Sequence, residues 1–208
     1  MRIIIFSWEY PPRIVGRLAY YVSELATKLA NSGLKMHVVT YHDSLIGDFE
    51  EASGVKVHRV TNPVKTHINL LTWTITLNQE IERITANIYY RENGQIDLID
   101  VHEWQFIPAA VTIKRAFEIP FIYSIESIED HRSGGANNPM NIAIKSIEQL
   151  GVLEADIIIV KSEWMKNEVK TIYGVSTGKI KVANLEERNG LKAILDVYRS
   201  LKGEGTQK

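Results

Sequence analysis

The chain has 208 residues, 45% hydrophobic content and a formal net charge of −1. This length allows one large α/β domain with a buried core, and the near-zero charge offers no basic field for nucleic acid or an anionic membrane. The chain has no cysteine, which excludes disulfides and thiolate chemistry. No apolar run approaches the roughly 20 residues of a membrane span, so we expect a cytoplasmic protein without membrane or nucleic-acid partners.

Short apolar runs alternate with helical patterns along the chain. Strands are predicted at residues 3–6, 36–40, 55–60, 96–101, 121–125, 157–160 and 180–182. Helices are predicted at residues 18–31, 68–90, 107–117, 139–153 and 163–173. This alternation predicts an α/β fold with a doubly wound, mostly parallel sheet and right-handed crossovers. The alternating polarity of residues 55–60 predicts an edge strand, and residues 127–138 are predicted to form a long mobile loop.

The C-terminal part differs in pattern from the rest. Asn184 and Glu187 have the spacing of a capping box, which predicts a helix beginning at residue 184. Its apolar residues recur on one face, at Leu191, Ile194, Leu195, Tyr198 and Leu201. We therefore predict a Rossmann-like domain over residues 1–183, an amphipathic helix packed back on it over 184–202, and a disordered tail over 203–208.

Aromatic and charged residues follow several predicted strands, where open parallel sheets bind their ligands. The candidates for substrate binding are Trp8, Glu9, Tyr10, His102, Glu103, Trp104 and Glu129. Aromatic rings and carboxylates together suit a carbohydrate. Gly16 precedes a predicted helix, whose first N–H groups could hold a phosphate. Each residue also has a structural interpretation, since tryptophans cap cores and glutamates cap helices.

Other classes of site have less support in the sequence. A metal site from His102, Glu103, Glu129 and His131 would lack any standard ligand spacing, so we predict no metal. Neither a G-x-G-x-x-G motif nor a P-loop occurs, so no dinucleotide or nucleoside-triphosphate site is indicated.

Three segments together carry a family resemblance. They are SWEYPPRIVG at residues 7–16, DVHEW at 100–104 and ADIIIVKSE at 155–163. They resemble glycosyltransferase family 4, of the GT-B fold, and within it the archaeal and bacterial glycogen or starch synthases. The resemblance covers residues 1–183. It implies two Rossmann-like domains across a cleft, of which this chain would be the acceptor-binding one. The implied reaction is retaining transfer of glucose from ADP- or UDP-glucose to an α-1,4-glucan.

The resemblance also implies roles for single residues. Gly16 would lie at the phosphates of the sugar nucleotide, and His102 with Trp104 would line the acceptor side. We also predict that Arg17 and Arg13 lie at the phosphates, where Arg17 could pair with a diphosphate or block its approach. His102 and Glu126 are the predicted catalytic residues. Two positions depart from the family pattern: Arg17 replaces a usual second glycine, and Glu126 replaces a usual histidine. No tightly bound cofactor is expected. The expected partners are an α-glucan and a missing donor-binding domain, without which the chain would be inactive; an oligomer is left open.

Three alternative functions and two possible origins of the chain stay open from the sequence. The chain could be a non-catalytic glucan- or oligosaccharide-binding module, or a different sugar-nucleotide transferase of the same family. It could be a hydrolase that uses Glu103 and Glu126 as an acid/base pair. The C-terminal helix could mark an excised N-terminal domain with a crossing helix retained, or a natural short paralogue.

Overall fold

The computed structural model describes residues 1–44 and 50–204. These residues form eight strands and seven α-helices. The strands are β1 (Arg2–Ser7), β2 (Lys35–Tyr41), β3 (Glu50–Ala52), β4 (Val55–Val60), β5 (Leu98–His102), β6 (Phe121–Ile125), β7 (Ile157–Val160) and β8 (Ile180–Val182). The helices are α1 (Arg17–Asn31), α2 (Leu70–Arg91), α3 (Ile107–Phe117), α4 (Glu129–Ser133), α5 (Pro139–Glu154), α6 (Glu163–Tyr173) and α7 (Gly190–Glu204).

All eight strands form one sheet in the order β3-β4-β2-β1-β5-β6-β7-β8. Every neighbouring pair is parallel except β3 and β4. The chain starts at the centre of the sheet and winds outward in both directions, so the strand order reverses between β1 and β5. This topology confirms the predicted α/β class with a doubly wound, mostly parallel sheet.

Two local expectations differ from the structure. Strand β4 is not an edge strand, because β2 pairs with one side of it and the short β3 covers the other. Its polar residues are buried rather than solvated: His58 hydrogen-bonds His37, and Arg59 donates to the Pro11 carbonyl. The predicted loop at residues 127–138 contains the short helix α4.

Helices cover both faces of the sheet. Successive residues of β1 point to opposite sides, as the period of a strand requires. Ile4 and Phe6 pack with α2, α3 and α6, whereas Ile3 and Ile5 pack with α1 and α7. The sheet is therefore buried on both faces, which explains the near-continuous apolar runs of its central strands.

Helix α7 packs back on the domain as predicted but begins later than predicted. Its buried Ile194 and Tyr198 join the same core cluster as α1. Asn184 closes a turn instead of capping the helix: its Oδ1 accepts from Glu186 N at 3.1 Å and its carbonyl accepts from Glu187 N at 3.0 Å. The helix is described to Glu204, so the last four residues of the predicted tail, 205–208, lie outside the described part of the chain.

Gly190 sets the start of α7 by its lack of a side chain. A Cβ added there would lie 1.8 Å from the Asn184 carbonyl oxygen and 2.8 Å from Leu185 Cα. Both atoms belong to the backbone, so no rotamer change could relieve the clash. The turn at residues 184–189 can therefore close against the helix only if residue 190 is glycine.

We expect Gly190→Ala to lower the free energy of unfolding by about 2–3 kcal/mol, because the added methyl forces the turn away from α7. Gly178→Ala is the matched control, since its Cβ would meet its nearest neighbour, Ser176 Oγ, at 3.8 Å. Urea denaturation of both variants tests this. Equal stability of the two variants would contradict the close approach.

Candidate functional site

Three strand ends meet at the centre of the sheet's carboxyl edge. His102 at the end of β5 is in register with Ser7 of β1 on one side and Ser124 of β6 on the other. This is the edge where the strand order reverses and where ligands of doubly wound folds bind. The predicted catalytic His102 therefore lies at the expected position in the topology.

Asp100 holds His102 from below. The Asp100 carboxylate is 1% exposed; it accepts a 2.6 Å hydrogen bond from Ser124 Oγ and another from the Tyr198 hydroxyl of α7. His102 Nε2 lies 3.3 Å from Asp100 Oδ2. Burial by itself would raise the pKa of Asp100 and lower that of His102, but their mutual attraction outweighs it. The pKa of Asp100 is lowered and that of His102 raised, because each group stabilises the charged form of the other.

The Tyr21 ring contacts His102, and Lys161 lies over Tyr21. The Tyr21 ring lies 6.0 Å from the His102 ring, and Lys161 Nζ stands 3.6 Å over Tyr21. Lys161 is ion-paired with Glu126. His102 is 1% exposed, and neither ring nitrogen makes a hydrogen bond within residues 1–44 and 50–204. A substrate would reach this imidazole only after Tyr21 or Lys161 moves.

A cavity of about 440 Å³, here called the central cavity, opens above Tyr21. Its lining includes Arg17, Tyr20, Tyr21, Glu126, Lys161 and Glu186. The volume falls in the range of small-molecule sites, roughly 300–1,000 Å³. The structure thus brings the predicted Arg17 and Glu126 to one cavity. The Arg17 side chain is 93% exposed and lies 3.4 Å from Glu186.

Glu9 shapes the loop before α1. It is 2% exposed, and its Oε2 accepts from Val15 N at 2.6 Å and from Gly16 N at 2.7 Å. The backbone N–H of Gly16, predicted to bind a phosphate, is therefore already satisfied by a carboxylate of the protein itself. Glu9 fixes the loop from inside and does not present its carboxylate to a ligand.

Glu103 fixes the loop after β6 in the same way, by accepting hydrogen bonds from its backbone. It has a positive φ of 70°, a strained backbone for a non-glycine residue. Its Oε1 accepts from Glu126 N at 2.8 Å and Ser127 N at 2.9 Å, and Arg132 donates to its Oε2. Burial raises the pKa of Glu103 to about 7 in spite of Arg132 and these bonds. With Glu103 bound inside and Glu126 paired to Lys161, the two do not form the exposed acid/base pair of a hydrolase.

Three further predicted contact residues lie in the interior. Tyr10, Trp104 and Glu129 are 6%, 3% and 5% exposed. Glu129 shares Arg132 with the buried Glu148. The tertiary structure therefore assigns packing and ion-pair contacts to these side chains, and none of them lines the central cavity.

The four residues considered as a metal site are not gathered by the fold. His131 pairs with Glu168 at 2.9 Å and stacks on Trp164, whereas His102 contacts Asp100. In the parts of the chain that the structure describes, no three acidic or histidine side chains converge as metal ligands would.

Arg13 and Trp8 line a different cavity, of about 400 Å³, here called the aromatic cavity. Its lining includes Trp8, Arg13, Tyr41, Asp43, His67 and Trp73. The Arg13 guanidinium stands 4.9 Å from the Trp8 ring and 4.8 Å from the Tyr41 ring, and Nε donates to Asp43 at 2.9 Å. The two arginines predicted to act together thus lie in separate cavities.

Several residues of the site were not predicted from the sequence. Asp100 and Lys161 could have been predicted from their positions in the sequence. Asp100 lies two residues before His102 on the same strand face, and Lys161 directly follows β7. Tyr21 and Tyr198 could not have been predicted as site residues, since both fit the apolar faces of their helices. Tyr198 reaches Asp100 across 98 residues of sequence.

We expect Glu103→Gln to remove a pH dependence of stability. The usual carboxyl pKa of 4.5 applies in the unfolded chain, and burial raises it to about 7 in the fold. Between these values the folded state keeps a proton that the unfolded state loses, so stability falls as pH rises. From pH 4.5 to 7 the free energy of unfolding of the wild type should fall by up to about 3 kcal/mol more than that of Glu103→Gln. Urea denaturation across this range measures it; a gain instead would show that Arg132 and the backbone bonds outweigh burial.

Comparisons with known proteins agree on the family. Residues 18–184 match the sequence model of Glycosyltransferase Family 4. An uncharacterized glycosyltransferase of Methanocaldococcus jannaschii is 33% identical over 182 residues, which are 88% of this chain and 45% of that protein. A glycogen synthase of Mycobacterium tuberculosis is 26% identical over 208 residues, 93% of this chain and 49% of that protein. The chain thus spans about half the length of the curated relatives it matches.

A solved structure agrees on the fold. A sucrose-phosphate synthase chain of Thermosynechococcus elongatus superposes with a TM-score of 0.72 and 15% identity, covering 97% of this chain and 99% of that one. Within the described residues, no helix has the length and apolar character needed to cross a bilayer. Because the family model matches more than half of the chain, the chain belongs to Glycosyltransferase Family 4.

Proposed function

We propose that this chain is the acceptor-side half of a retaining glycosyltransferase that transfers glucose from ADP- or UDP-glucose to an α-1,4-glucan. Residues 1–183 would form the acceptor-binding domain, with the C-terminal helix as its support. The observation that carries the proposal is the central cavity, whose lining joins Arg17, Glu126 and Lys161 with Tyr21. The Tyr21 ring contacts His102 of the buried Asp100–His102 pair. The similarity to a protein named glycogen synthase supports the substrate class.

Arg17 is the group we assign to the donor phosphates. Its guanidinium is 93% exposed at the rim of the central cavity, and arginine binds phosphate oxygens in a planar, two-pronged manner. The other candidate to bind a phosphate, the Gly16 backbone N–H, already donates a hydrogen bond to Glu9. Arg17 stands where the family usually has a second glycine. A contact between the phosphates and the Arg17 side chain would therefore replace a contact with the backbone.

His102 and Glu126 are the groups we assign to transfer. In the reaction the bond from C1 of glucose to the diphosphate breaks, and a bond from C1 to an acceptor oxygen forms. The acceptor's hydroxyl proton leaves with the diphosphate. The Asp100 carboxylate raises the pKa of His102, and a protonated imidazole would stabilise the anionic leaving group. Glu126 would accept a hydrogen bond from an acceptor hydroxyl once Lys161 turns away from it.

The donor nucleotide would bind mainly to a second half. This chain covers 45% and 49% of its curated relatives, and a typical domain would account for the remaining length. Closing such a domain over the central cavity would exclude water and bring Arg17 to the phosphates.

One observation favours a second candidate, a non-catalytic oligosaccharide-binding module. His102 is 1% exposed behind Tyr21, so the arrangement described leaves the imidazole closed to any substrate. A binding module would keep this arrangement when its ligand is bound, whereas a transferase would open it. The isotope-edited NMR signal of the His102 ring during titration with ADP-glucose and maltopentaose distinguishes the two.

We expect the chain to bind maltopentaose with a Kd on the order of 1 mM and ADP-glucose or UDP-glucose at least about 10-fold more weakly. The physical reason is that the acceptor contacts lie on this half and most donor contacts on the other. Isothermal titration calorimetry measures the three affinities. Tighter binding of either sugar nucleotide than of maltopentaose would overturn the assignment to the acceptor side.

We further expect Arg17→Ala to remove the residual binding of ADP, since its guanidinium is far more exposed than Lys161, the other cation of the central cavity (93% against 29%). Maltopentaose affinity should stay within about 2-fold of the wild type. Arg115→Ala is the matched control, because Arg115 is 69% exposed and ion-paired with Glu154 on α5. NMR titration with ADP provides the measurement. Loss of ADP binding in the control, or its retention in Arg17→Ala, would contradict the role.

A further inference from the structure

The aromatic cavity has a rigid wall made of three rings. The Tyr41 and Trp73 rings meet edge to face, with centroids 4.8 Å apart and planes at 86°. Arg13 lies between Trp8 and Tyr41 and also donates to the Trp8 carbonyl at 3.1 Å. Each ring is held by neighbours before any ligand arrives, so little side-chain entropy would be lost on binding.

Local hydrogen bonds hold Trp73 where the cavity needs it. Its carbonyl accepts from Asn62 Nδ2 at 2.8 Å, and Trp73 lies in the first turn of α2, which Asn69 caps together with Thr72. Trp73 packs partly against the core and stays half-exposed. Helix α2 therefore presents this ring at the carboxyl edge of the sheet, beside β1 and β2.

The cavity's charges are already balanced. Arg13 Nε bonds Asp43 Oδ2 at 2.9 Å. Burial alone would raise the pKa of Asp43, but hydrogen bonds from Tyr41 and Arg13 lower it, so the carboxylate is charged. Because one cation offsets one anion, the cavity favours a neutral ligand over a phosphate or an acidic sugar. The Asp43 side chain is 66% exposed, so a carboxylate with about four acceptor sites retains room for ligand hydroxyls.

The lined surface continues past Trp73. A second cavity of about 210 Å³ shares Tyr41, Asp43, His67 and Trp73 with the first. A ligand longer than one ring could therefore extend from one cavity into the other. Half-exposed aromatic faces combined with a carboxylate match the two surfaces of a pyranose, its C–H face and its hydroxyl edge.

We propose that the aromatic cavity binds one hexopyranose residue of a neutral oligosaccharide, with the shape set by Trp8, Tyr41 and Trp73 and hydroxyl binding by Asp43. The oligosaccharide is the acceptor of the reaction, and only this last step rests on the proposed function. The subsite lies apart from the central cavity, which contains Arg17, Tyr21 and Glu126. It would hold the acceptor at a distance from the reacting end and so select for acceptor length.

The test compares variants of the chain in calorimetric titrations with maltopentaose. Trp73→Ala should weaken binding at least about 10-fold, and Trp73→Phe, which keeps a ring, by only about 3-fold. Asp43→Asn should weaken it by about 3–10-fold, because a charged acceptor of hydroxyl hydrogen bonds is lost. Trp164→Ala is the matched control: that ring is 60% exposed and stacks on His131, away from the cavity. It should bind as the wild type does.

Circular dichroism melting shows whether each variant is folded. Should Trp73→Ala not fold, Asp43→Asn decides, since its exposed side chain makes loss of the fold improbable. Wild-type affinity in folded Asp43→Asn and Trp73 variants overturns the subsite. If at the same time Glu126→Gln weakens maltopentaose binding, the subsite is wrong and the proposed function stands.

A different outcome separates the two proposals in the other direction. If the wild type binds no maltopentaose, the α-glucan acceptor of the proposed function is wrong. Cellobiose, sucrose and mannobiose are then titrated in the same way. Binding of any of them that is lost in Trp73→Ala supports the subsite for another neutral sugar, and binding of none overturns the subsite as well.

Discussion

The buried carboxylate of Asp100 is the interaction on which the rest of the site depends. Its partners come from β5, β6 and α7, through His102, Ser124 and Tyr198. A buried charge is costly unless it is fully paired, so this one residue requires the C-terminal helix, the neighbouring strand and the imidazole together. Asp100 thus connects the packing of helix α7, through Tyr198, to the pKa of His102.

Other buried carboxylates shape the edge of the sheet in the same way. Glu9 binds the backbone N–H groups of the loop before α1, and Glu103 binds those of the loop that carries Glu126. Both glutamates looked like ligand-binding groups in the sequence. In the structure they act from inside, and their effect is to hold Arg17 and Glu126 at the rim of the central cavity. Buried carboxyl groups thus position the exposed side chains through backbone hydrogen bonds.

Under the proposed function, the two cavities would have different roles. The central cavity combines Arg17 and Lys161 with Glu24, Glu126 and Glu186 beside the ring of Tyr21. Such a charged lining suits a site where charge develops in a reaction. In the aromatic cavity Arg13 is ion-paired with Asp43, and the Tyr41 and Trp73 rings pack on each other, which suits the binding of a neutral sugar. Both cavities lie at the carboxyl edge of one sheet. A single oligosaccharide would then contact the aromatic cavity while its reacting end lies in the central cavity.

The sequence by itself determined the α/β class, most element bounds and the family. Helix and strand periods report local burial, and the bounds of α3, β6, β7, α6 and β8 match their patterns because each is a regular segment. Only the tertiary structure decided which glutamates are buried, that β3 covers β4, and that α7 begins at Gly190. Those outcomes depend on contacts between distant residues, such as Tyr198 and Asp100, separated by 98 positions. No local pattern encodes such a contact, since a tyrosine on an apolar helix face looks the same whether or not a carboxylate lies beneath it.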